Sequence, residues 1–434
     1  MMIEPGILIA IFTAIFSFTF IYIWKRDILF GGVYLSLFIY TIFTQIGYAY
    51  FPELSIFIQA YFGPEIFYDF NLFVSLSFLA LFICFFLWHR VLVRRPVYKV
   101  IHSRQNLSIL FYFFVAVQIC VVSLYFISNF DSLSYTSVND EAFQLQEGIP
   151  FVLFELAFKH TVEICFILYF IFRNKGNVFN RLNHKMVLFL LILEITLLIT
   201  VSTKIGSRTD PLSLTLAIVA YEICIARELK KNIIWKFVKI SAVLGLVIYG
   251  LSAIEAARTI DLQAQYRTLP ERIIFKDYYA PAHILIASMA LNYVDPIAVI
   301  TSNSANALIK LNYPYLQYIV AQLFNPGVST RSASYAFFMF SEGYIALGWF
   351  GFIYNGLIVF LGIALWRSMA NSNNNFYNYF LIGLVSTQLA NIARSQSSYF
   401  VKDVYMIFLP AMFLFFLATG LRPWLGRRAF QTKV

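Results

Sequence analysis

The sequence PGILIAIFTAIFSFTFIYIW at Pro5–Trp24 decides the fold class, because it contains no charged residue over the length of a membrane-crossing helix. A bilayer core of about 30 Å requires ~20 consecutive apolar residues in a helix. Similar runs recur along the 434-residue chain, in which 60% of residues are hydrophobic and only 12% are charged. The composition therefore predicts an all-α polytopic membrane protein and argues against soluble domains.

About eleven runs qualify as transmembrane helices. They lie at Pro5–Trp24, Ile28–Tyr50, Ile66–Trp88, Leu107–Phe130, Pro150–Phe172, Met186–Ser202, Pro211–Ala226, Ile233–Ala253, Gly343–Trp366, Phe376–Ile392 and Val404–Leu421. The chain is thereby divided into eight transmembrane helices at 1–254, a long polar loop at 255–341 and three further helices at 342–434. A loop of that length inside a compact architecture is usually functional.

The basic residues predict how the spans are oriented. Of the 32 lysines and arginines, 21 fall in alternate short connections, and such a bias marks the cytoplasmic side. The N-terminus and the long loop are then outside, and the C-terminus is cytoplasmic. Because the net charge of +10 follows this distribution, it indicates membrane topology rather than a nucleic-acid partner.

Part of the long loop carries helix signals that bring cations together. Thr268-Leu-Pro-Glu271 fits a capping box, in which the threonine caps the helix and the glutamate reaches back. A helix from there places Arg272 and Lys276 on one face. Both are candidates for substrate binding, as is Tyr279, one of several tyrosines interleaved with the loop cations.

Two further short helices are predicted in the same loop. Pro281 can open one that continues to about Asn292, with His283 in its first turn as a candidate general base. The other runs from Tyr315 to Phe324 and ends before Pro326-Gly327. Because these segments are mostly apolar, we predict that they lie on the outer membrane interface.

A cationic motif, Lys204-Ile-Gly-Ser-Arg208-Thr-Asp210, lies at the outer end of the sixth predicted span. Lys204 and Arg208 are one helical turn apart, and a guanidinium suits bidentate binding of a phosphate or pyrophosphate. Asp210 is a candidate catalytic residue. The alternative is that both cations reach for lipid headgroups while Asp210 caps the next helix.

An acidic residue, Glu342, interrupts the apolar run that begins the ninth span. A carboxylate in such a position is costly unless it is paired or faces water, so it is a candidate catalytic residue. Arg331 and Arg394 are candidates for substrate binding, and a salt bridge from either to Glu342 is the alternative. Spacing alone leaves open whether the turn at Arg394-Ser-Gln-Ser-Ser is a site or an interfacial anchor.

Several motif classes are absent from the sequence. It contains no Walker A loop, no nucleotide-binding glycine motif, no HExxH and no cysteine and histidine spacing typical of a metal site. The sequence therefore indicates no cofactor and no metal. The energy for any reaction must come from the substrate or from a gradient.

These motifs together resemble the O-antigen polymerase family of membrane glycosyltransferases, whose fold is of the GT-C type. The resemblance is carried by Lys204-Ile-Gly-Ser-Arg208, by the long outer loop late in the chain, and by Ser341-Glu342-Gly343-Tyr344 followed by Gly348 and Gly351. It covers most of the chain through hydropathy and sparse motifs.

The resemblance implies an enzyme of the bacterial inner membrane with a periplasmic N-terminus and a periplasmic loop at 255–341. Its implied reaction is metal-independent transfer of a growing glycan from undecaprenyl pyrophosphate to a repeat unit linked to the same carrier, which makes surface polysaccharide. Implied partners are these lipid-linked oligosaccharides, membrane lipids and a chain-length regulator protein.

Three alternatives remain open at this point, and one is a metal-dependent glycosyltransferase that would use Glu53, Glu65 and Asp69 of the first outer loop. An O-antigen ligase shares the chemistry but transfers the glycan to lipid A–core. A flippase or transporter for the same lipid-linked sugars predicts polar stripes through several spans. Only the fifth span carries a clear stripe, formed by Glu155, Lys159 and Glu163.

Overall fold

The structure is a computed structural model that describes residues 4–50, 65–91, 109–128, 283–307, 337–370 and 392–419. It also describes helical positions at 161, 164–165, 167–168, 188–194, 196, 238, 242, 245, 316, 319–320, 323, 384–385 and 388. In this part of the chain the structure is helical and holds no strand. The predicted all-α class is therefore confirmed.

Ten α-helices are continuous in the described ranges. They are α1 Pro5–Arg26, α2 Ile28–Tyr50, α3 Glu65–Val91, α4 Ile109–Ser128, α5 His283–Ala290, α6 Pro296–Ala307, α7 Met339–Leu347, α8 Gly351–Ala370, α9 Ser398–Asp403 and α10 Leu409–Thr419. A 3-10 turn at Gly348–Phe350 separates α7 from α8, and a π-helical segment at Val404–Phe408 joins α9 to α10.

The chain forms two compact units. Unit 1 contains Met1–Val97, Ala264–Met369 and Gln388–Lys402, and unit 2 contains Tyr98–Gln263, Ala370–Thr387 and Asp403–Val434. In unit 2, α4 packs against α10. The candidate site described below lies within unit 1.

Five of the described helical segments are long and apolar enough to cross a membrane, which supports a membrane protein. They are Gly6–Arg26, Leu29–Gly47, Glu65–His89, Met339–Ser368 and Ser398–Ala418. Each overlaps a predicted span, and α4 matches the predicted span Leu107–Phe130 as a helix. The other five predicted spans lie largely outside the described residues, so the count of eleven stays a prediction.

Aromatic rings hold the first three helices together. Phe16 of α1 stacks on Phe38 of α2 with the ring centroids 3.6 Å apart, and on Tyr34 at 5.1 Å. Phe78 of α3 meets the Tyr34 ring edge-on at 5.0 Å. The Tyr34 hydroxyl shares a 2.8 Å hydrogen bond with Thr19 Oγ1, which satisfies two buried polar groups.

A single residue, Asp27, connects α1 to α2. Its amide donates to the Ile23 carbonyl, and its Oδ1 accepts from the amides of Leu29 and Phe30, so it ends one helix and caps the next. The second carboxylate oxygen pairs with the guanidinium of Arg367 in the last turn of α8. Both side chains are largely buried, so this ion pair ties the α1–α2 corner to the end of α8.

The corner between α5 and α6 is formed by recognisable end signals. Asn292, with φ of 48°, ends α5 in a Schellman motif in which the Tyr293 amide donates to the Ser288 carbonyl. Asp295 caps α6 through a 2.9 Å bond from the Ala298 amide to its Oδ1, and Pro296 is the first helical residue. The helix predicted at Pro281–Asn292 is thus confirmed as α5, whereas α6 was not predicted.

Burial distinguishes these two helices. Ile284–Met289 of α5 are buried on every side, because α3 and α7 pack against it. This differs from the surface position predicted for the loop helices. In contrast, α6 buries Ala298 and Val299 but leaves Ile297 and Ile300 exposed.

The apolar segment Met339–Ser368 is broken at Gly348, so the continuous helix predicted at Gly343–Trp366 is wrong over its first turns. Gly348 has φ of 58°, a conformation that suits glycine. Beyond Gly348 the chain folds back onto α7. The close approach is seen at Gly351, where an added Cβ would collide with the Gly343 carbonyl. The nine residues of α7 extend about 14 Å, less than half of a bilayer core.

Replacing Gly351 with alanine is expected to destabilise unit 1 by about 2 kcal/mol, because overpacking of this kind typically costs 1–3 kcal/mol. The added methyl would have to displace backbone atoms of Gly343 rather than a flexible side chain. Unfolding of the purified protein in denaturing detergent measures the change.

Gly245→Ala is the matched control. Gly245 is helical and exposed, and a Cβ there has no heavy atom within 4 Å. We expect this variant to be as stable as the wild type or slightly more stable. Equal stabilities for Gly351→Ala and Gly245→Ala would contradict the close contact of α7 with α8.

Candidate functional site

The carboxylate of Glu342, in the first turns of α7, is fully buried and accepts four hydrogen bonds. Asn303 Nδ2 of α6 donates to Oε1 at 2.8 Å, and the Tyr354 hydroxyl of α8 donates to the same oxygen at 2.6 Å. Ser397 contributes both its amide, 2.7 Å from Oε2, and its hydroxyl, 2.5 Å from Oε1. Four separate pieces of chain therefore meet at this carboxylate.

The turn that carries Ser397 is fixed at both ends by α7. The Met339 amide donates to the Ala393 carbonyl at 3.1 Å, while Glu342 binds Ser397 at the other end. Arg394 lies between these two anchors and is partly exposed. The backbone that carries this cation is therefore already ordered, so ligand binding would have to order only the side chain.

A second polar side chain, Gln396, fastens the same turn to the loop helices. Its Nε2 donates to Ser302 Oγ at 3.2 Å and to Asn303 Oδ1 at 3.1 Å on α6. Its Oε1 accepts a 2.7 Å bond from the Leu316 amide. Asn303 is thus held from both sides, which orients its amide towards Glu342.

The backbone of α7 is positioned by Asn355 of α8. Its Oδ1 accepts from the Gly343 amide at 3.1 Å, and its Nδ2 donates to the Phe340 carbonyl at 3.0 Å and to Ser77 Oγ at 3.1 Å. The absence of a side chain at Gly343 allows Asn355 to come this close. The broken helix is therefore a fixed element that presents Glu342 to the turn.

All four described donors to Glu342 are neutral groups. The alternative of a salt bridge from Arg394 to Glu342 is not found in the described part of the chain. Beside Glu342, the hydroxyl of Ser341 is buried and has no hydrogen-bond partner there.

The structure brings together two of the candidates chosen from the sequence. Glu342 and Arg394 belong to one cluster, although 52 positions separate them. His283 begins α5, which packs on α7, but its side chain lies outside the described residues. The remaining candidates also lie outside the described ranges: Lys204, Arg208, Asp210, Arg272, Lys276, Tyr279 and Arg331.

Sequence reasoning did not assign roles to most of the neutral members of the cluster. Asn303, Tyr354 and Asn355 were not singled out, and Gln396 and Ser397 were noticed only as neighbours of Arg394. A usable signal exists for Asn355, a lone amide within an apolar run. In a membrane span such a group needs an internal partner.

No protein-family model, curated protein or solved structure matches this chain.

Proposed function

We propose that this chain is a bacterial inner-membrane glycosyltransferase that polymerises a surface polysaccharide on the periplasmic face. Its donor would be a growing glycan on undecaprenyl pyrophosphate, and its acceptor the sugar end of a repeat unit on a second undecaprenyl pyrophosphate. An O-antigen ligase with lipid A–core as acceptor is the nearest alternative. The proposal starts from the resemblance to O-antigen polymerases.

The observation that carries the proposal is the meeting of Glu342 with the turn that holds Arg394. These residues come from two connections that the charge distribution assigns to the same outer side. A guanidinium and a hydrogen-bonded carboxylate held on one fixed framework would supply an anion-binding group and, through the hydroxyls that contact the carboxylate, a route for the acceptor proton. Glycosyl transfer from a pyrophosphate donor requires both functions.

In the proposed reaction, the acceptor hydroxyl attacks the anomeric carbon of the donor sugar. The bond between that carbon and the pyrophosphate oxygen breaks, and the pyrophosphate leaves with the electron pair. Arg394 would bind the charge that develops on the leaving group, which is commonly the largest catalytic contribution. The acceptor proton would pass to a carboxylate or imidazole base, for which Glu342, Asp210 and His283 are the candidates.

In the described geometry Glu342 is a positioning residue, because both oxygens are buried and occupied by hydrogen bonds. It can act as the base only through a hydroxyl that already contacts it, such as that of Ser397 or Tyr354. A hydroxyl of this kind can pass a proton inward while accepting one from the substrate.

The proposal is tested by mixing the purified protein with lipid-linked repeat units and separating the products by length. A ladder of products identifies a polymerase. A single transfer onto added lipid A–core identifies a ligase. No transfer to either acceptor would contradict the proposal.

We expect polymerisation to persist in EDTA, because fixed arginine and lysine side chains are proposed to stabilise the leaving pyrophosphate. The measurement is the product ladder with and without chelator. Strong inhibition by EDTA that is reversed by Mg²⁺ or Mn²⁺ would show that a metal ion, rather than these side chains, stabilises the leaving pyrophosphate.

We expect a reporter fused after Gln263 to be periplasmic and one fused to the C-terminus to be cytoplasmic. The prediction follows from the basic-residue bias. The ion pair between Asp27 and Arg367 supports it, because both belong to connections assigned to the cytoplasm. A cytoplasmic reporter at Gln263 would contradict both the topology and the site assignment.

A flippase for lipid-linked sugars is the second candidate, and the broken segment of α7 and α8 is the observation that favours it. Discontinuous helices near the bilayer midplane are typical of transporter binding sites. Movement of a fluorescent lipid-linked oligosaccharide across proteoliposomes, without any new glycosidic bond, would identify this activity.

A further inference from the structure

A second buried carboxyl group, that of Glu194, belongs to unit 2 and has no part in the candidate site. Its side chain is fully buried, and neither oxygen has a hydrogen-bond partner among the described residues. An ionised carboxylate in such surroundings is very costly, because no donor among the described residues replaces the water that it has lost. Glu342, by comparison, is buried with four donors.

Other buried polar groups lie in the same unit as Glu194. Gln118 of α4 donates from Nε2 to Thr161 Oγ1 at 2.6 Å and accepts from the Cys165 thiol at 3.5 Å. Thr161 and Cys165 are one helical turn apart and so share a helix face. Glu194 lies within electrostatic reach of Cys165. Gln118, Thr161 and Cys165 therefore form a hydrogen-bonded cluster, and Glu194 interacts electrostatically with its thiol.

The charges near the cluster decide the state of the carboxyl group. Among the described residues, the titratable group that interacts electrostatically with Glu194 is the buried Cys165 thiol, which provides no positive charge. Gln118 already uses its amide on Thr161 and Cys165. Among the described residues, no cation and no hydrogen-bond donor reaches Glu194, which favours the neutral acid.

We propose that Glu194 is a proton-binding site in the core of unit 2. The carboxyl group holds a proton at neutral pH and releases it when a change of conformation brings it water or a cation. The inference is independent of the reaction proposed at Glu342. The sequence has no nucleotide-binding motif, so ATP hydrolysis is not indicated as an energy source. A proton gradient could instead act on the protein by protonating and deprotonating Glu194.

The test uses dicyclohexylcarbodiimide, a hydrophobic reagent that modifies protonated carboxyl groups in apolar surroundings. The full-length protein in lipid nanodiscs is treated at about pH 7, where water-exposed glutamates are ionised, and its peptides are analysed by mass spectrometry. We expect an adduct on Glu194 that declines as the pH is raised. Glu4, which is exposed, should stay unmodified.

Glu342 provides a matched buried control, because four hydrogen-bond donors already occupy its oxygens and should slow its modification. In Glu194→Gln the adduct should disappear while that variant still folds. The wild-type measurement decides the question even if the variant does not fold, because it needs no substitution.

Two results would overturn the proposal. One is a folded wild-type protein in which Glu194 stays unmodified throughout the range from about pH 5 to pH 8. The other is protection of Glu194 by sodium chloride but not by choline chloride, which would mean that the cluster holds a metal cation rather than a proton.

Discussion

Replacing Glu342 with alanine is expected to lower the free energy of unfolding by ~4 kcal/mol, at about 1 kcal/mol for each of the four donors left unsatisfied. The affected groups belong to Asn303, Tyr354 and Ser397, so the variant should also loosen the turn that carries Arg394. Unfolding in denaturing detergent measures the stability, and proteolysis near residue 394 measures the loosening.

Glu342→Gln and Glu4→Ala complete this experiment. The glutamine side chain keeps the shape and one acceptor oxygen, but its amide group points a donor at groups that are themselves donors. We therefore expect the free energy of unfolding to fall by roughly half as much as in Glu342→Ala. Glu4 is exposed and makes no side-chain capping bond, so its replacement should leave both the free energy of unfolding and the proteolysis near residue 394 unchanged. Wild-type stability in Glu342→Ala would show that the carboxylate does not hold the cluster together.

Replacing Arg394 with lysine is expected to reduce the rate of polymerisation roughly a hundredfold, which corresponds to ~3 kcal/mol of transition-state stabilisation. A guanidinium engages paired phosphate oxygens in a fixed fork, whereas an ammonium offers only a point charge. Arg394→Ala should lose slightly more. The measurement is the rate of product formation with purified lipid-linked substrate.

The stability of the protein should not change in these variants, because Arg394 is partly exposed and no ion pair holds it among the described residues. Arg26→Lys is the matched control. Arg26 lies over the ring of Tyr22 at 3.5 Å, on a connection assigned to the cytoplasm, and its replacement should leave the rate unchanged. Full activity in Arg394→Lys would move the pyrophosphate site to Arg208 or Arg272.

The first three helices could be predicted closely from the sequence. The run Ile28–Tyr50 coincides with α2, and α1 and α3 differ from their predicted spans by at most a few residues. Burial in lipid depends on the local content of apolar residues, so a stretch of about 20 residues is enough to predict a membrane-crossing helix. The break at Gly348 was missed because glycine is frequent in membrane helices and does not by itself reverse the chain.

The candidate site could be predicted only in part. Glu342 stood out because a charge in an apolar segment is costly, and Arg394 stood out because a cation on the predicted outer side runs against the bias of the basic residues. Their neutral partners, such as Asn303 and Ser397, carry no such signal, because amide and hydroxyl groups are common in loops. Their role depends on contacts between distant parts of the chain, which no local pattern records. The capping signal at Asp295-Pro296 was present, however, and predicts α6 in retrospect.

The hydrogen bonds of Glu342 also set the order in which the protein can mature during synthesis. The carboxylate is made before Ser397, which supplies two of its four hydrogen bonds. A nascent chain that ends after α8 therefore carries a buried acid with only Asn303 and Tyr354 to satisfy it. Final assembly of the cluster must therefore wait until the turn that carries Ser397 has been synthesised.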